Sequence, residues 1–277
     1  VGTGMLDSVT GGGFGLGLEK NVREAYNWLV DNYNDNEEHK DLGPDEIYIF
    51  GFSRGAYTAR SLVSFIASCG LIKRGAPLPI YQLWNGYTFI SENRGIDAYG
   101  TWWQKVLSKN DELFRRLPSI QMEKRYIFSN HAERLLIQWS RQIKITFLGV
   151  YDTVGALGLD ALGIPGIGTG LSKKHNQYPS RIIENCRHAL AINENRSMFD
   201  FTPFVNYIPH DCSEIDANAY DDKIMQRWFV GVHSNIGGGY ANNVLAIRPL
   251  QWIFEGCGRL ELKKDQKVPK FTSYNIN

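Results

Sequence analysis

The sequence lacks long apolar runs: no stretch of about eighteen or more apolar residues occurs, so it predicts no membrane-spanning helix. It also lacks the basic start and apolar stretch of a secretory signal peptide. The chain is therefore expected to be cytoplasmic or to be exported by a non-classical route. It begins at Val1 without an initiator methionine, as a segment cut from a longer protein would.

An excess of charge is absent too, since 30 Lys and Arg residues stand against 29 Asp and Glu residues. A nucleic-acid partner is not expected, because such partners require a basic surface. Cysteine is scarce and forms no C-x-x-C pair; the four residues are Cys69, Cys186, Cys212 and Cys257. Their spacing favours free buried thiols in a reducing compartment over disulfides or a zinc site. We expect no metal and no other cofactor.

The length and apolar content fit one domain better than two. A chain of 277 residues with 43% hydrophobic residues can bury a large core, and we expect a single α/β domain over residues 1–277. Residues 75–141 are rich in Trp, Tyr, Arg and Lys and show no clear strand, so they predict a helical insertion or cap, with helical pieces at 79–84, 102–107 and 131–140. At least half of its tryptophans are expected to pack in the core.

Apolar periodicity predicts helices over residues 18–33, 54–68, 181–192 and 246–257. Short apolar runs predict strands over 46–50, 143–150, 201–208 and 227–232. The glycine-rich residues 1–17 are expected to form a loop, because no strand precedes them as a dinucleotide fingerprint would require. The alternation predicts an open, mostly parallel sheet with helices on both faces and a site at the carboxyl edge of its strands.

The most informative stretch is Glu-Ile-Tyr-Ile-Phe-Gly-Phe-Ser-Arg-Gly-Ala at residues 46–56. An apolar run leads into G-x-S-x-G and a helical stretch follows, which is the layout of a nucleophile elbow with Ser53 at its tip. A Cβ at Gly51 or Gly55 is expected to crowd the neighbouring strand and helix. The backbone N–H of Arg54 would lie at a helix N-terminus and donate to a developing oxyanion. The alternative is a chance serine in a βα turn.

Polar residues directly follow three predicted strands: Ser53, Asp152 and His233. Such strand ends meet at one edge of a parallel sheet, and the order Ser, Asp, His is the one α/β-hydrolases use. A serine hydroxyl needs a base, imidazole with a pKa of about 6.5 suits that task, and a carboxylate orients the imidazole. Asp160 and Asp200 are alternative acids. The competing histidines are His39, His131, His175, His188 and His210.

Further residues are candidates for substrate binding. Residues 155–171 are almost uncharged and rich in Gly, Leu and Ile, so this segment, which includes Gly155 and Leu157, could form an acyl-binding surface with peripheral membrane contact. Asn235 and Tyr240 could contact substrate, although a role in orienting the histidine loop is favoured. The side chain of Arg54 could receive an anionic group such as a phosphate or form an ordinary ion pair.

Taken together, four blocks resemble one family: Gly-Phe-Ser-Arg-Gly-Ala-Tyr-Thr-Ala-Arg at 51–60, Gly-Val-Tyr-Asp-Thr-Val-Gly at 149–155, Arg-His-Ala-Leu-Ala at 187–191 and Phe-Val-Gly-Val-His-Ser-Asn-Ile-Gly-Gly-Gly-Tyr at 229–240. It is the α/β-hydrolase family that includes the class-one phospholipase effectors of type VI secretion and uncharacterised bacterial and fungal homologues. The resemblance runs from about residue 1 to residue 257.

By this resemblance Ser53 would be the nucleophile, Asp152 the triad acid and His233 the base. The implied reaction is metal-independent hydrolysis of acyl esters, with phospholipids as the substrate. Members of the family usually begin with a strand and an Asp-Gly-Thr turn, which could supply the second oxyanion donor. The sequence has no such segment before Val1; either the chain is truncated, or, if the segment is truly absent, oxyanion stabilisation is expected to be weaker. The alternatives are a non-catalytic module that binds lipid or a partner, and a soluble esterase or thioesterase for small acyl groups.

Overall fold

The computed structural model describes residues 13–37, 41–85, 87, 135–136, 138–154, 179–180, 182–196, 199, 201–204 and 223–258. Within these residues the predicted α/β architecture is confirmed: a parallel sheet carries helices on both faces. In chain order the elements are α1 (Gly13–Asn32), β1 (Tyr48–Phe52), α2 (Arg54–Cys69), β2 (Leu71–Ile72), β3 (Ser140–Arg141), β4 (Phe147–Tyr151), β5 (Cys186–Ala191), β6 (Ile224–Phe229), α3 (His233–Gly237) and α4 (Val244–Glu255).

The main sheet has four strands in the order β1-β4-β5-β6, and every neighbouring pair is parallel. The central strand β4, Phe-Leu-Gly-Val-Tyr, is almost entirely buried, as expected for a parallel strand covered on both faces. The pairing of Phe52 with Tyr151, and of Tyr151 with Ala189, aligns the carboxyl ends of three strands. Residues that directly follow these strands therefore lie at one edge of the sheet. Strands β2 and β3 form a separate antiparallel pair.

Two apolar clusters cover the two faces of the sheet. Helices α1 and α2 pack on one face, in a cluster that includes Val22, Phe65, Leu148 and Val150. Helices α3 and α4 pack on the other face, in a cluster that includes Phe147, Ile236 and Ile253. Leu148 and Val150 of β4 belong to the first cluster and Phe147 to the second, because successive side chains of a strand point to opposite faces. The inner strands β4 and β5 are thus covered on both faces, whereas the edge strand β6 is largely exposed.

The helix predicted over residues 181–192 is wrong, because this segment contains β5. A short run such as Cys-Arg-His-Ala-Leu-Ala fits helical and strand periodicity equally well. Its backbone hydrogen bonds to β4 on one side and β6 on the other decide for the strand. Residues 201–204 form an isolated bridge between Phe201 and Val154 rather than a regular strand, and 205–208 lie outside the described residues.

Other boundaries shift by a few residues. Helix α1 begins at Gly13, so the loop predicted through residue 17 ends earlier. Strand β1 runs through Gly51 to Phe52. Strand β6 ends at Phe229, so His233 does not directly follow it as predicted but begins helix α3. Helix α2 ends at Cys69, and the N–H of Gly70 donates to the carbonyl of Ile66 at 2.7 Å.

Most of the predicted insertion, including Trp102 and Trp103, lies outside the described residues. In its described part residues 80–85 are helical, and Trp84 packs in the core with its ring centroid 5.3 Å from that of Phe65. Across the parts of the chain that the structure covers, no helix is long and apolar enough to cross a membrane, and no cluster of His, Cys, Asp and Glu could hold a metal. Three cysteines are buried free thiols: Cys69, Cys186 and Cys257.

Candidate active site

Ser53 lies in the sharp turn between β1 and α2. Its backbone has φ 57° and ψ −124°, a conformation that is strained for any residue with a side chain. The N–H of Ser53 donates to the carbonyl of Tyr151 at 2.9 Å, and its carbonyl accepts the N–H of Ala56 at 3.1 Å. The strain persists because strand pairing on one side and the start of α2 on the other hold the turn.

The two glycines of G-x-S-x-G differ in their steric role. A Cβ at Gly51 would lie 2.6 Å from the carbonyl carbon of Gly55 and 2.7 Å from the Cα of Ala56, which real side chains do not allow. Glycine at position 51 therefore lets β1 pass close to the first turn of α2. The expectation that Gly55 is equally restricted is wrong, because a Cβ at Gly55 would meet open space.

Asp152 follows β4 and is only 1% exposed. Its backbone adopts φ 39°, which aspartate tolerates better than most residues. The N–H of Asp152 donates to the carbonyl of Ala189 at 2.7 Å, and its Oδ1 accepts the N–H of Ala191 at 2.9 Å. Strand β5 thus fixes both the backbone and the carboxylate of Asp152.

His233 connects these two residues. Its Nδ1 lies 2.6 Å from Oδ2 of Asp152, and its Nε2 lies 2.7 Å from Oγ of Ser53. An ionised carboxylate can only accept, so Nδ1 carries a proton that it donates to Asp152, and Nε2 accepts the hydroxyl of Ser53. His233 is 4% exposed, and the rings of Phe52 and Phe199 lie with their centroids 4.5 and 4.7 Å from that of the imidazole. These contacts fix the plane of the ring.

This arrangement has the elements of a nucleophilic reaction. Nε2 of His233 is within reach of the hydroxyl proton of Ser53, and the carboxylate of Asp152 would stabilise the imidazolium that results. Arg54 is the first residue of α2, so its backbone N–H lies at the positive end of the helix. An oxyanion that develops beside Ser53 would be stabilised there.

The remaining predicted residues fall into two groups. The Oδ1 atom of Asn235 accepts the N–H of Val232 at 3.1 Å, and the N–H of Asn235 donates to the carbonyl of Val232 at 2.7 Å, so this residue braces the turn into α3. Tyr240 is half exposed just beyond α3. Outside the described residues lie Gly155, Leu157, Asp160 and Asp200.

Sequence reasoning missed three residues that contact His233: Phe52, Phe199 and Glu194. The N–H of His233 donates to Oε2 of Glu194 at 3.2 Å. Glu194 lies three residues beyond the carboxyl end of β5, at the same edge of the sheet as Ser53 and Asp152. A search for polar residues within a few positions of the strand end would have included Glu194, but the helix predicted over 181–192 concealed that end.

A second buried histidine, His188, supports the turn that carries Asp152. The side chain of Gln226 is oriented by the backbone of Phe204, whose N–H donates to Oε1 at 2.7 Å and whose carbonyl accepts from Nε2 at 2.8 Å. Oε1 also lies 3.1 Å from Nδ1 of His188, so Nδ1 carries the proton and donates. Nε2 of His188 then accepts the N–H of Thr153 at 3.3 Å and lies 3.0 Å from its Oγ1.

Burial, together with the nearby guanidinium of Arg60, lowers the pKa of His188 to about 3. Since an unfolded histidine has a pKa of about 6.5, the unfolded chain binds more protons than the folded chain between these two values. The free energy of unfolding should therefore fall as the pH decreases from about 6.5 towards 3, because protonation favours the unfolded state.

We expect the variant His188→Gln to lose this pH dependence. The free energy of unfolding, measured with urea, should fall with decreasing pH more steeply in the wild type than in the variant. Between about pH 6 and pH 4.5 the two slopes should differ by up to about 1.4 kcal/mol per pH unit. The comparison uses the difference between the two proteins, so groups that titrate equally in both cancel. Parallel curves for the two proteins would show that His188 does not remain neutral in the folded state.

Residues 2–256 match the family described as the type VI secretion system (T6SS) phospholipase effector Tle1-like catalytic domain. The chain belongs to this family. The resemblance predicted from the four sequence blocks is thereby confirmed.

Two further similarities accompany this Tle1-like domain. It is 27% identical over 212 residues to the Uncharacterized protein YEL023C of Saccharomyces cerevisiae, with 74% of this chain and 24% of the relative covered. The chain thus spans about a quarter of the length of this curated relative. A crystal structure of an uncharacterized protein from Pseudomonas aeruginosa is similar at a TM-score of 0.32 and 15% identity, over 76% of this chain and 36% of that chain.

Proposed function

We propose that this protein is a serine hydrolase of α/β-hydrolase type that cleaves acyl esters of phospholipids, as a phospholipase A does. Ser53 is the nucleophile, His233 the general base and Asp152 the acid that orients it. The observation that carries the proposal is the position of one buried imidazole, which lies 2.7 Å from a serine hydroxyl and 2.6 Å from a carboxylate. Membership in a family of phospholipase effector catalytic domains supports the substrate class.

The reaction follows from these contacts. Oγ of Ser53 attacks the ester carbonyl carbon while its proton passes to Nε2 of His233, and the N–H of Arg54 stabilises the oxyanion. The imidazolium then gives this proton to the leaving alcohol oxygen as the ester C–O bond breaks, leaving the acyl group on Ser53. Water, deprotonated by Nε2 of His233, then attacks the acyl carbon; the bond to Oγ breaks, Nε2 returns the proton to Oγ of Ser53, and the fatty acid is released.

Exposed apolar side chains in the segments next to α3 support a lipid substrate over a small water-soluble ester. In the sequence they precede and follow α3, the helix that begins with His233: Val230, Tyr240, Val244 and Leu245. Clusters of exposed apolar side chains are typical of surfaces that contact a membrane or a partner. In this position they would lie against a bilayer from which an acyl chain enters the site.

The proposal predicts release of fatty acid from phosphatidylcholine vesicles by the wild-type protein and its loss in the variant Ser53→Ala. The matched control is Ser180→Ala, because Ser180 precedes β5 at the opposite edge of the sheet. Its Oγ accepts a long hydrogen bond of 3.4 Å from the N–H of Ile182. Fatty acid release is measured over time by mass spectrometry, and the control is expected to match the wild type.

Two outcomes would contradict the proposal. Hydrolysis of soluble short-chain esters without any release from vesicles would point to a soluble esterase or thioesterase instead. Absence of both activities, together with no labelling of Ser53 by a fluorophosphonate, would point to a non-catalytic module that binds lipid or a partner.

A further inference from the structure

A partly buried residue, Glu194, also contacts His233, in addition to the contacts of this histidine with Ser53 and Asp152. Glu194 lies beyond the end of β5, its side chain is 5% exposed, and its Oε2 accepts the backbone N–H of His233 at 3.2 Å. Burial of a charge is unfavourable unless the charge is paired and hydrogen-bonded. The surroundings of Glu194 must therefore supply such partners.

Arg196 supplies them. Its Nε donates to Oε1 of Glu194 at 2.8 Å and its Nη2 donates to Oε2 at 2.7 Å, which makes a bidentate pair. The backbone N–H of Arg196 donates to Oε1 at 2.9 Å. These hydrogen bonds lower the pKa of Glu194 to about 2. Glu194 is thus ionised at neutral pH, and its hydrogen bond with the N–H of His233 is charge-assisted.

The ion pair of Glu194 and Arg196 also supports the ring of His233, through the ring of Phe199. The guanidinium carbon of Arg196 lies 4.1 Å from the ring centroid of Phe199, and this ring lies 4.7 Å from the imidazole. A cation over an aromatic face is attracted to it, so the ion pair helps to hold Phe199 in place. His233 is therefore contacted at its backbone by Glu194 and at its ring by a phenyl group that Arg196 covers.

The neighbouring residue extends this support along the loop between β6 and α3. Oδ1 of Asn193 accepts the N–H of Gly231 at 2.8 Å, and the N–H of Asn193 donates to the carbonyl of Gly231 at 3.1 Å. Residues 193 and 194 thus hold positions 231 and 233 by direct hydrogen bonds. The loop that carries His233 is fixed to the end of β5, the strand that also fixes the carboxylate of Asp152.

We propose that Glu194 is a positioning residue that, held by Arg196, keeps the imidazole of His233 in line between Ser53 and Asp152. The role rests on the proposed function, since it matters only if His233 acts as the base for Ser53. A base that moves by about 1 Å can lose about 10²-fold in rate, so a single hydrogen bond to its backbone has a measurable effect.

The test is the kinetics of Ser53 labelling by a fluorophosphonate, which gives both a rate constant and a final stoichiometry. Glu194→Ala should label to the same stoichiometry as the wild type but about 10- to 100-fold more slowly. Glu194→Gln keeps an oxygen that can accept the N–H of His233, so it should recover most of this rate. The matched control is Asp35→Ala, since Asp35 also pairs with an arginine, Arg141, at 2.8 Å, beside the ring of Tyr33. This control should label like the wild type.

The outcomes separate the two proposals. If the wild type itself does not label, the proposed function fails and this role fails with it. If the wild type labels and Glu194→Ala labels at the same rate, only the positioning role is overturned. It is also overturned if Glu194→Ala lowers the stoichiometry at an unchanged rate constant, which indicates misfolding, or if Glu194→Gln is as slow as Glu194→Ala.

Discussion

Replacement of His233 by alanine is expected to lower kcat for ester hydrolysis by about 10⁴- to 10⁶-fold, with little change in KM. The imidazole is the group within 2.7 Å of the hydroxyl of Ser53, and without it the hydroxyl keeps its proton at neutral pH. Asp152→Asn should cost about 10⁴-fold, because an amide that donates towards Nδ1 favours the wrong tautomer of His233. Both values are measured on a fluorogenic ester.

The double variant Ser53→Ala/His233→Ala tests whether the two residues act together, by comparing its loss of rate with the losses in the two single variants. Residues that act as a unit lose their effect together, so the double variant should be no slower than either single variant. If the losses in the two single variants instead added in the double variant, the residues would act independently and the assignment of roles would fail. Circular dichroism on each variant checks that the fold is retained.

Gly51→Ala is expected to have the second-largest effect, with a loss of about 3 kcal/mol or more in the free energy of unfolding and with no labelling of Ser53. The added Cβ would meet the carbonyl carbon of Gly55 at 2.6 Å and the Cα of Ala56 at 2.7 Å. These are backbone atoms, which cannot move aside as a flexible side chain can. Strand β1 and helix α2 would have to separate, and the turn at Ser53 would be lost. Thermal or urea unfolding measures the change.

Gly55→Ala is the matched control for this prediction. Its Cβ would meet open space, and alanine is more favourable than glycine in a helix by about 1 kcal/mol, so the free energy of unfolding should stay the same or rise. A large loss of stability in Gly55→Ala, or an unaffected Gly51→Ala, would mean that β1 and α2 do not approach each other as described.

Local patterns were sufficient for much of the fold. The helical spacing of Val22, Tyr26, Leu29 and Val30 predicted α1, and all four side chains are buried. The apolar run before G-x-S-x-G predicted β1 and the turn at Ser53. These elements could be predicted because their signal lies within a few consecutive residues, where the periodicities of helix and strand differ clearly.

Long-range contacts decided the elements that were predicted wrongly. Residues 186–191 have no periodicity of their own that excludes a helix, and they form a strand because β4 and β6 hydrogen-bond to both of its sides. The contact of Glu194 with His233 joins residues 39 positions apart, and it follows from that strand. The steric role of Gly55 was predicted wrongly for the same reason. The space around an added Cβ depends on the packing of neighbouring elements and not on the G-x-S-x-G motif.

The order of residues alone was enough to predict the family, the alternation of strands and helices, and three polar residues just after predicted strands. The assembled fold was needed to show that Oδ2 of Asp152 accepts the hydrogen bond from Nδ1 of His233. It was also needed to show that Phe52, Phe199 and Glu194 contact this histidine. The reason is physical: periodicity is a property of neighbouring residues. Distances between side chains on different strands depend instead on register, strand order and packing, which exist only once the sheet is assembled.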